Sequence, residues 1–254
     1  MKKLLSLCFL VFLLSYSLIA SPNQFDYWAQ FRNFSSTEVE LENEIYTNFS
    51  LELEAKKPNT KFVFGLDFNF NERNDFKEWD FYAGIKKRFK EYYPYIKLAI
   101  QDKIENEKNN FDFGIAAGLE FYAWKSKTKW KLGIRVLSKE AKIFFNPEYY
   151  FGQIYAWTFV ELSRTKDNEK TLFLQADLGL DFDQDIDPLV CFENIHYKKG
   201  GYYWRRIAIG LGLKFDHFLR FVNGKLKFLF VDEKDKWSIK SGYSVIIEVY
   251  SQKK

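Results

Sequence analysis

The chain has 254 residues, 47% hydrophobic, 20% aromatic and 28% charged, with 38 Lys and Arg set against 34 Asp and Glu. Its 28 Phe and 16 Tyr, with a mean hydropathy of -0.34, make it rich in strand formers without being uniformly apolar, which excludes a disordered chain and a bundle of membrane helices. The formal charge of +4 is small and the basic residues are scattered, so a nucleic-acid partner is excluded as well.

Lys2 and Lys3 precede an apolar run over residues 4–20, and a polar stretch with Pro22 follows. This is the layout of a secretory signal peptide, read as residues 1–20 with Ala20 the last residue removed and residues 21–254 the exported domain. The run is short for a bilayer crossing. Cys8 sits inside it behind Leu7, whereas a lipid-attachment site needs a small residue and then a cysteine at the end of the run. Loss of Lys2 and Lys3 lowers the charge from +4 to about +2 and leaves Cys191 as the single thiol. One thiol makes no intramolecular disulfide, and Cys191 reads as a buried or lumenal side chain.

Past Ser21 no stretch approaches the ~18 to 20 apolar residues of a spanning helix, so any membrane crossing is made by strands. The chain repeats one pattern, an alternation of apolar and polar residues closed by a short polar turn. Val39, Leu41, Ile45, Phe49, Leu51 and Leu53 alternate with Glu38, Glu40, Glu42, Glu44 and Glu52, up to the turn KKPNTK. Phe62, Phe64, Leu66, Phe68 and Phe70 oppose Val63, Gly65, Asp67 and Asn69; Trp79, Phe81, Ala83 and Ile85 oppose Glu78, Asp80, Tyr82, Gly84 and Lys86. Ile96, Leu98 and Ile100 face away from Lys97 and Gln101. Phe111, Phe113, Ile115, Ala117, Leu119 and Phe121 then form a hairpin with Trp130, Leu132, Ile134 and Val136, opposing Asp112, Gly114, Gly118, Glu120, Lys131, Gly133 and Arg135.

The pattern blurs over residues 141–150, where Pro147 predicts a turn or an edge. Ile154, Ala156, Val160 and Leu162 restore it, and Leu172, Leu174, Ala176, Leu178 and Leu180 continue it against Gln175, Asp177 and Gly179. A weaker strand over residues 190–197 ends at KKGG, after which Ile207, Ile209, Leu211 and Leu213 oppose Arg206, Gly210, Gly212 and Lys214. Asn223-Gly224 is the strongest two-residue hairpin signal, joining residues 218–222 to Leu226, Phe228 and Phe230. Ile239, Tyr243, Val245, Ile247 and Val249 close the chain, with Glu248 on the other face. At ~17 residues per strand and turn, this predicts an all-β chain: one up-and-down antiparallel transmembrane β-barrel of about 14 strands, or 12 if the segments around Ala141 and Phe218 are loops.

Glycine decides which face is inside. Nine of the 13 Gly, at positions 65, 84, 114, 118, 133, 179, 210, 212 and 242, fall on the polar faces. Glycine weakens a strand open to solvent, but small residues suit the crowded inner wall of a closed sheet. The polar face is therefore the lumen and the Phe, Leu and Ile face is the outside. Tyr92, Tyr93 and Tyr95, Trp124 and Trp130, and Tyr202, Tyr203 and Trp204 cluster at strand ends, the placement expected of interfacial aromatic girdles.

In this pattern the chain, from about Phe25 to Tyr250, resembles the bacterial outer-membrane β-barrel proteins, the porin-like class in particular. The resemblance implies export to the bacterial outer membrane, with outer-membrane lipid and the barrel-assembly machinery as partners. It leaves oligomeric state and cargo open.

Enzyme chemistry finds little to work with. The two His, His196 and His217, have no Ser within two residues, and Asp216-His217 are adjacent, so on a strand they point to opposite faces. Both are read as structural, and the chain is not expected to be an enzyme. Asp181, Asp183, Asp185 and Asp187 alternate beside a turn, but Ile186 and Phe192 stand where a Ca²⁺ loop needs Gly and Glu. They read as a solvated acidic turn. No Cys/His cluster or phosphate loop is present, and no metal or cofactor is expected.

The expected lining of the lumen is Asp67, Glu78, Asp80, Asp112, Glu120 and Asp177 with Lys86, Lys97, Lys131, Arg135, Arg206 and Lys214. Opposed charges across a wet pore would orient small polar solutes during passive diffusion, the expected function of an outer-membrane channel. Charges paired across a narrow lumen would instead lock it as a salt-bridged core, giving a closed barrel with a structural or surface-interaction role. A soluble secreted or periplasmic β-protein is the remaining alternative.

Overall fold

The computed structural model describes residues 25–36, 42–54, 59–71, 76–105, 108–123, 128–182, 186–199, 202–219, 222–234 and 239–251. The expected signal peptide, Trp124, Asp183 and Asp185, and the side chains of Asp216 and His217, lie outside this description. Among the described residues there are fourteen strands: β1 (Phe25–Ser36), β2 (Glu42–Glu54), β3 (Thr60–Asn71), β4 (Phe76–Lys87), β5 (Tyr92–Glu105), β6 (Lys108–Ala123), β7 (Thr128–Leu137), β8 (Glu140–Phe151), β9 (Ile154–Thr165), β10 (Lys170–Leu180), β11 (Ile186–Lys199), β12 (Tyr202–Leu219), β13 (Val222–Lys234) and β14 (Ile239–Ser251). Each pairs antiparallel with the next, and β1 pairs with β14 from Trp28↔Tyr250 to Ser36↔Gly242, closing the barrel. A twelve-residue strand rising ~3.3 Å per residue and tilted ~40° spans about 30 Å, the thickness of a bilayer's hydrocarbon core.

Side chains divide by face as the alternation demands. Phe113 is 70% exposed and Leu98 66%, whereas the alternate positions Asp112, Glu120, Gln101 and Asp80 are buried. The charged face is inside. Gly118 and Gly133 show why glycine sits there: they are cross-strand partners, and the buried Tyr95 lays its phenol end where a Cβ on either would stand.

Fourteen strands are present, though not assembled from the segments the sequence suggested. β1 is an additional strand, its alternation masked by Trp28 on the polar side. Of the expected strand over residues 218–222, Phe218 and Leu219 end β12 and Val222 opens β13, while residues 220 and 221 lie outside the described residues. Asn223 and Gly224 lie inside β13, paired with Tyr250 and Val249 of β14, and Gly224 also faces Phe215 across a register shift in β12. A tight turn there would need positive φ, and Gly224 has none. The long ladders on both flanks override the local signal. Pro147 does not end β8. The β8–β9 ladder lapses at Asn146 and Pro147 and resumes at Glu148↔Trp157, while pairing to β7 continues, because proline lacks only its own N–H.

The aromatic rims also need correction. Tyr92, Phe121 and Trp130 stack outward, with centroids 5.1 and 5.3 Å apart. Tyr93 and Tyr95, by contrast, face inward with Lys86 and Lys97 over their rings. Tyr203 is outward, but Trp204 lies inside under Arg206.

Candidate functional site

All twelve expected lining residues occupy the inner face. Their ion pairs, with those of neighbours the sequence did not single out, fall among the described residues into four groups, two toward each rim. Toward the rim where β7 joins β8, Arg135 of β7 reaches Asp80 of β4, and also Glu140 at 3.5 Å. Tyr82 donates to Asp67 at 2.6 Å, and Gln101 donates to Asp80 at 3.1 Å. Lys142 of β8 lies 3.9 Å from both Glu78 and Glu161.

Opposite, at the same rim, Arg32 of β1 forks onto Glu193 of β11 through both terminal nitrogens. Arg206 donates through Nε to Glu233 at 2.6 Å, and Glu44 lies 3.7 Å from Arg32 and 3.5 Å from Arg206. β1 and β11 are four strands apart in the sheet order, so Arg32 and Glu193 bridge a chord of the lumen.

Toward the other rim, Lys86 pairs with Glu120 at 2.5 Å, and Lys131 approaches Glu120 at 3.5 Å. Lys97 and Lys131 lie 5.0 and 5.6 Å from the centre of the Tyr95 ring, so the cations rest on the aromatic's negative face. Across from them, Asp177 of β10 takes Lys225 at 2.6 Å and Lys227 at 2.8 Å from β13. Lys227 also reaches Glu248 at 2.8 Å, and Gln30 donates to Glu248 at 2.9 Å. Lys214 stands 3.7 Å from Asp187 and over the Tyr155 ring. Bidentate forks and shared carboxylates satisfy charges that would be costly to bury alone.

Two expectations change in detail. Asp112 does not join these groups: its carboxylate accepts from the backbone N–H of Phe113, Ser138 and Lys139 at 2.8, 3.0 and 2.9 Å, anchoring the β7–β8 turn. Asp187 is not part of a solvated turn. It is buried, accepts from the Phe182 N–H at 3.0 Å and pairs with Lys214, because its alternation within β11 points it inward. Cys191 is buried on the inner face. Among the described residues no His/Cys/Asp/Glu group is arranged to hold a metal ion.

Arg32, Glu193, Lys225, Lys227 and Glu233 were missed as lining residues, although each sits on the polar side of an alternation. Lys225 and Lys227 flank Leu226 within the supposed hairpin, and Glu193 lies in the strand that looked weak.

The two sides of the lumen differ in access. The side chains of Lys227 and Asp177 are 0% exposed, whereas Lys131, Glu161 and Lys142 retain 40%, 29% and 18%. One side is a packed ionic core; on the other, these three side chains of β7 to β9 keep water contact, although Arg135 and Tyr155 of the same strands are buried.

No family model and no curated protein matches the sequence. Solved structures do match. A deletion mutant of TodX, a monoaromatic hydrocarbon channel whose parent is the Pseudomonas putida toluene transporter, superposes with a TM-score of 0.55 at 8% identity, covering 93% of this chain and 94% of that one. A bacterial polysaccharide outer membrane secretin gives 0.52 at 8% identity, covering 92% and 100%. The Acinetobacter baumannii outer membrane protein Omp33 gives 0.51 at 9% identity, covering 91% and 98%. At such identities the likeness is one of fold, and the fold of this chain is that of the bacterial outer-membrane β-barrel proteins.

Proposed function

We propose that the protein is an outer-membrane channel of restricted bore, through which small polar solutes diffuse passively beside the β7 to β9 wall. The observation that carries this reading is the unequal access of the lumen charges. Lys131, Lys142 and Glu161 remain in contact with water while the opposite side is packed by ion pairs. Mixed signs along such a passage, Lys131 and Lys142 against Glu161 and Glu148, would set selectivity by orienting polar solutes. The exposed apolar outer face fits contact with outer-membrane lipid. Delivery would follow from the leader read at residues 1–20 and from the barrel-assembly machinery. The reading assigns no catalytic step.

Purified protein in a planar lipid bilayer tests it. Stepwise conductance that changes ion selectivity with Lys131→Ala supports a passage along this wall. A folded, heat-modifiable barrel that passes no current refutes it. That outcome favours the second reading, a closed barrel, for which the Arg32–Glu193 chord and the packed Asp177 and Lys227 argue.

A further inference from the structure

The outer face carries a feature that neither the lumen nor a plain apolar belt requires. Arg164, Lys170 and Lys198 end or begin β9, β10 and β11 at one rim, and in register they are immediate neighbours: Lys170 pairs with Arg164 on one side and with Lys198 on the other. All three are exposed and share the outward alternation with Leu162, Leu172 and His196. Like charges set directly opposite one another on a sheet repel, and among the described residues none of the three has an ion-pair partner. Beneath the row lies a surface hollow of about 480 Å³ floored by Ile134, Ile143, Leu162 and Leu172, within the size range of small-molecule sites. Tyr203, whose hydroxyl lies 3.0 Å from His196 Nδ1, closes its far edge.

We propose that this hollow seats an anionic phospholipid, one whose headgroup phosphate has no cation of its own to offset it, with the phosphate on the Arg164, Lys170 and Lys198 row and an acyl chain along the apolar floor. The inference rests on the reading of the outer face as membrane-embedded. The cations stand at strand ends, where headgroups lie, and the floor begins two residue pairs deeper, at the next outward pair, Leu162↔Leu172. The bound anion would relieve the repulsion along the row, and each cation near an anionic lipid surface is worth about a fivefold change in affinity.

The test is native mass spectrometry of the detergent-purified full chain, titrated with cardiolipin or with phosphatidylcholine of the same acyl chains. Cardiolipin should be retained preferentially. Arg164→Gln with Lys170→Gln and Lys198→Gln should weaken that retention about a hundredfold, and Lys170→Gln alone about fivefold, with phosphatidylcholine unaffected. Ala141→Trp, which keeps every charge but fills the hollow beside Arg164, should also abolish the preference. Equal retention of both lipids by an inserted, heat-modifiable barrel overturns the site alone, as does retention unmoved by these substitutions or matched by inorganic phosphate binding. A chain that stays soluble without detergent overturns both the site and the membrane reading.

Discussion

Replacing Arg32 with Met should be among the most damaging single changes in the lumen, because it strands a carboxylate that is all but fully buried. Arg32 forks onto Glu193, the carboxylate of its group that is buried deepest, while Glu44 is shared between Arg32 and Arg206 and Glu233 pairs with Arg206. Arg32→Met leaves Glu193, at 1% side-chain exposure, stripped of its fork. Breaking a buried pair in this way costs about 3 to 5 kcal/mol. Glu193→Gln should be milder. Arg32 keeps Glu44 at 3.7 Å and the amide oxygen still accepts one of its two bonds, so the loss should be that of a weakened hydrogen bond, about 1 to 2 kcal/mol. The double variant should then be less damaged than the two single losses combined, with a coupling of about 1 to 3 kcal/mol. Urea unfolding from lipid vesicles, followed by tryptophan fluorescence and by gel mobility of unheated samples, measures all four proteins. Strict additivity, or a greater loss for Glu193→Gln than for Arg32→Met, would refute this account of the pair.

Two further perturbations probe the faces of the wall. Phe113→Arg places a charge on the outward face at a residue 70% exposed. If that face meets lipid the change should cost about 2 to 4 kcal/mol in vesicle unfolding, whereas a water-facing site would tolerate it within experimental error. Gly118→Val should cost at least about 1 to 3 kcal/mol by driving a side chain against both the Tyr95 phenol and the Leu132 carbonyl. The share due to the phenol should return in the Tyr95→Ala background, read by thermal midpoints in detergent, while the share due to the Leu132 carbonyl stays; no rescue at all would refute the contact with Tyr95.

Local pattern carried a great deal here because an up-and-down barrel is built from local contacts. A period of two is a property of each strand by itself, so Phe111 to Phe121 against Asp112 to Glu120 reads correctly before any partner is known. The inward direction of the polar face was legible for a related reason: glycine at positions such as 118 and 133 records the crowding of a concave wall. The same logic placed Asp80, Glu120, Asp177 and Arg206 on the inner surface.

What only the closed barrel decided is which of those charges meet. Arg32 and Glu193 are 161 positions apart, and no periodicity links them. They come together because β14 closes on β1 and the strands between them curve the sheet until walls four strands apart lie within reach of two long side chains. Closure likewise overruled Asn223-Gly224, where a two-residue turn preference yielded to the ladders on both flanks. It also turned Asp112 from a charge on the wall into the anchor of a turn. Alternation determines the face on which a side chain lies, because that depends on the next residue along. Register and curvature determine its partner, because that depends on every strand in between.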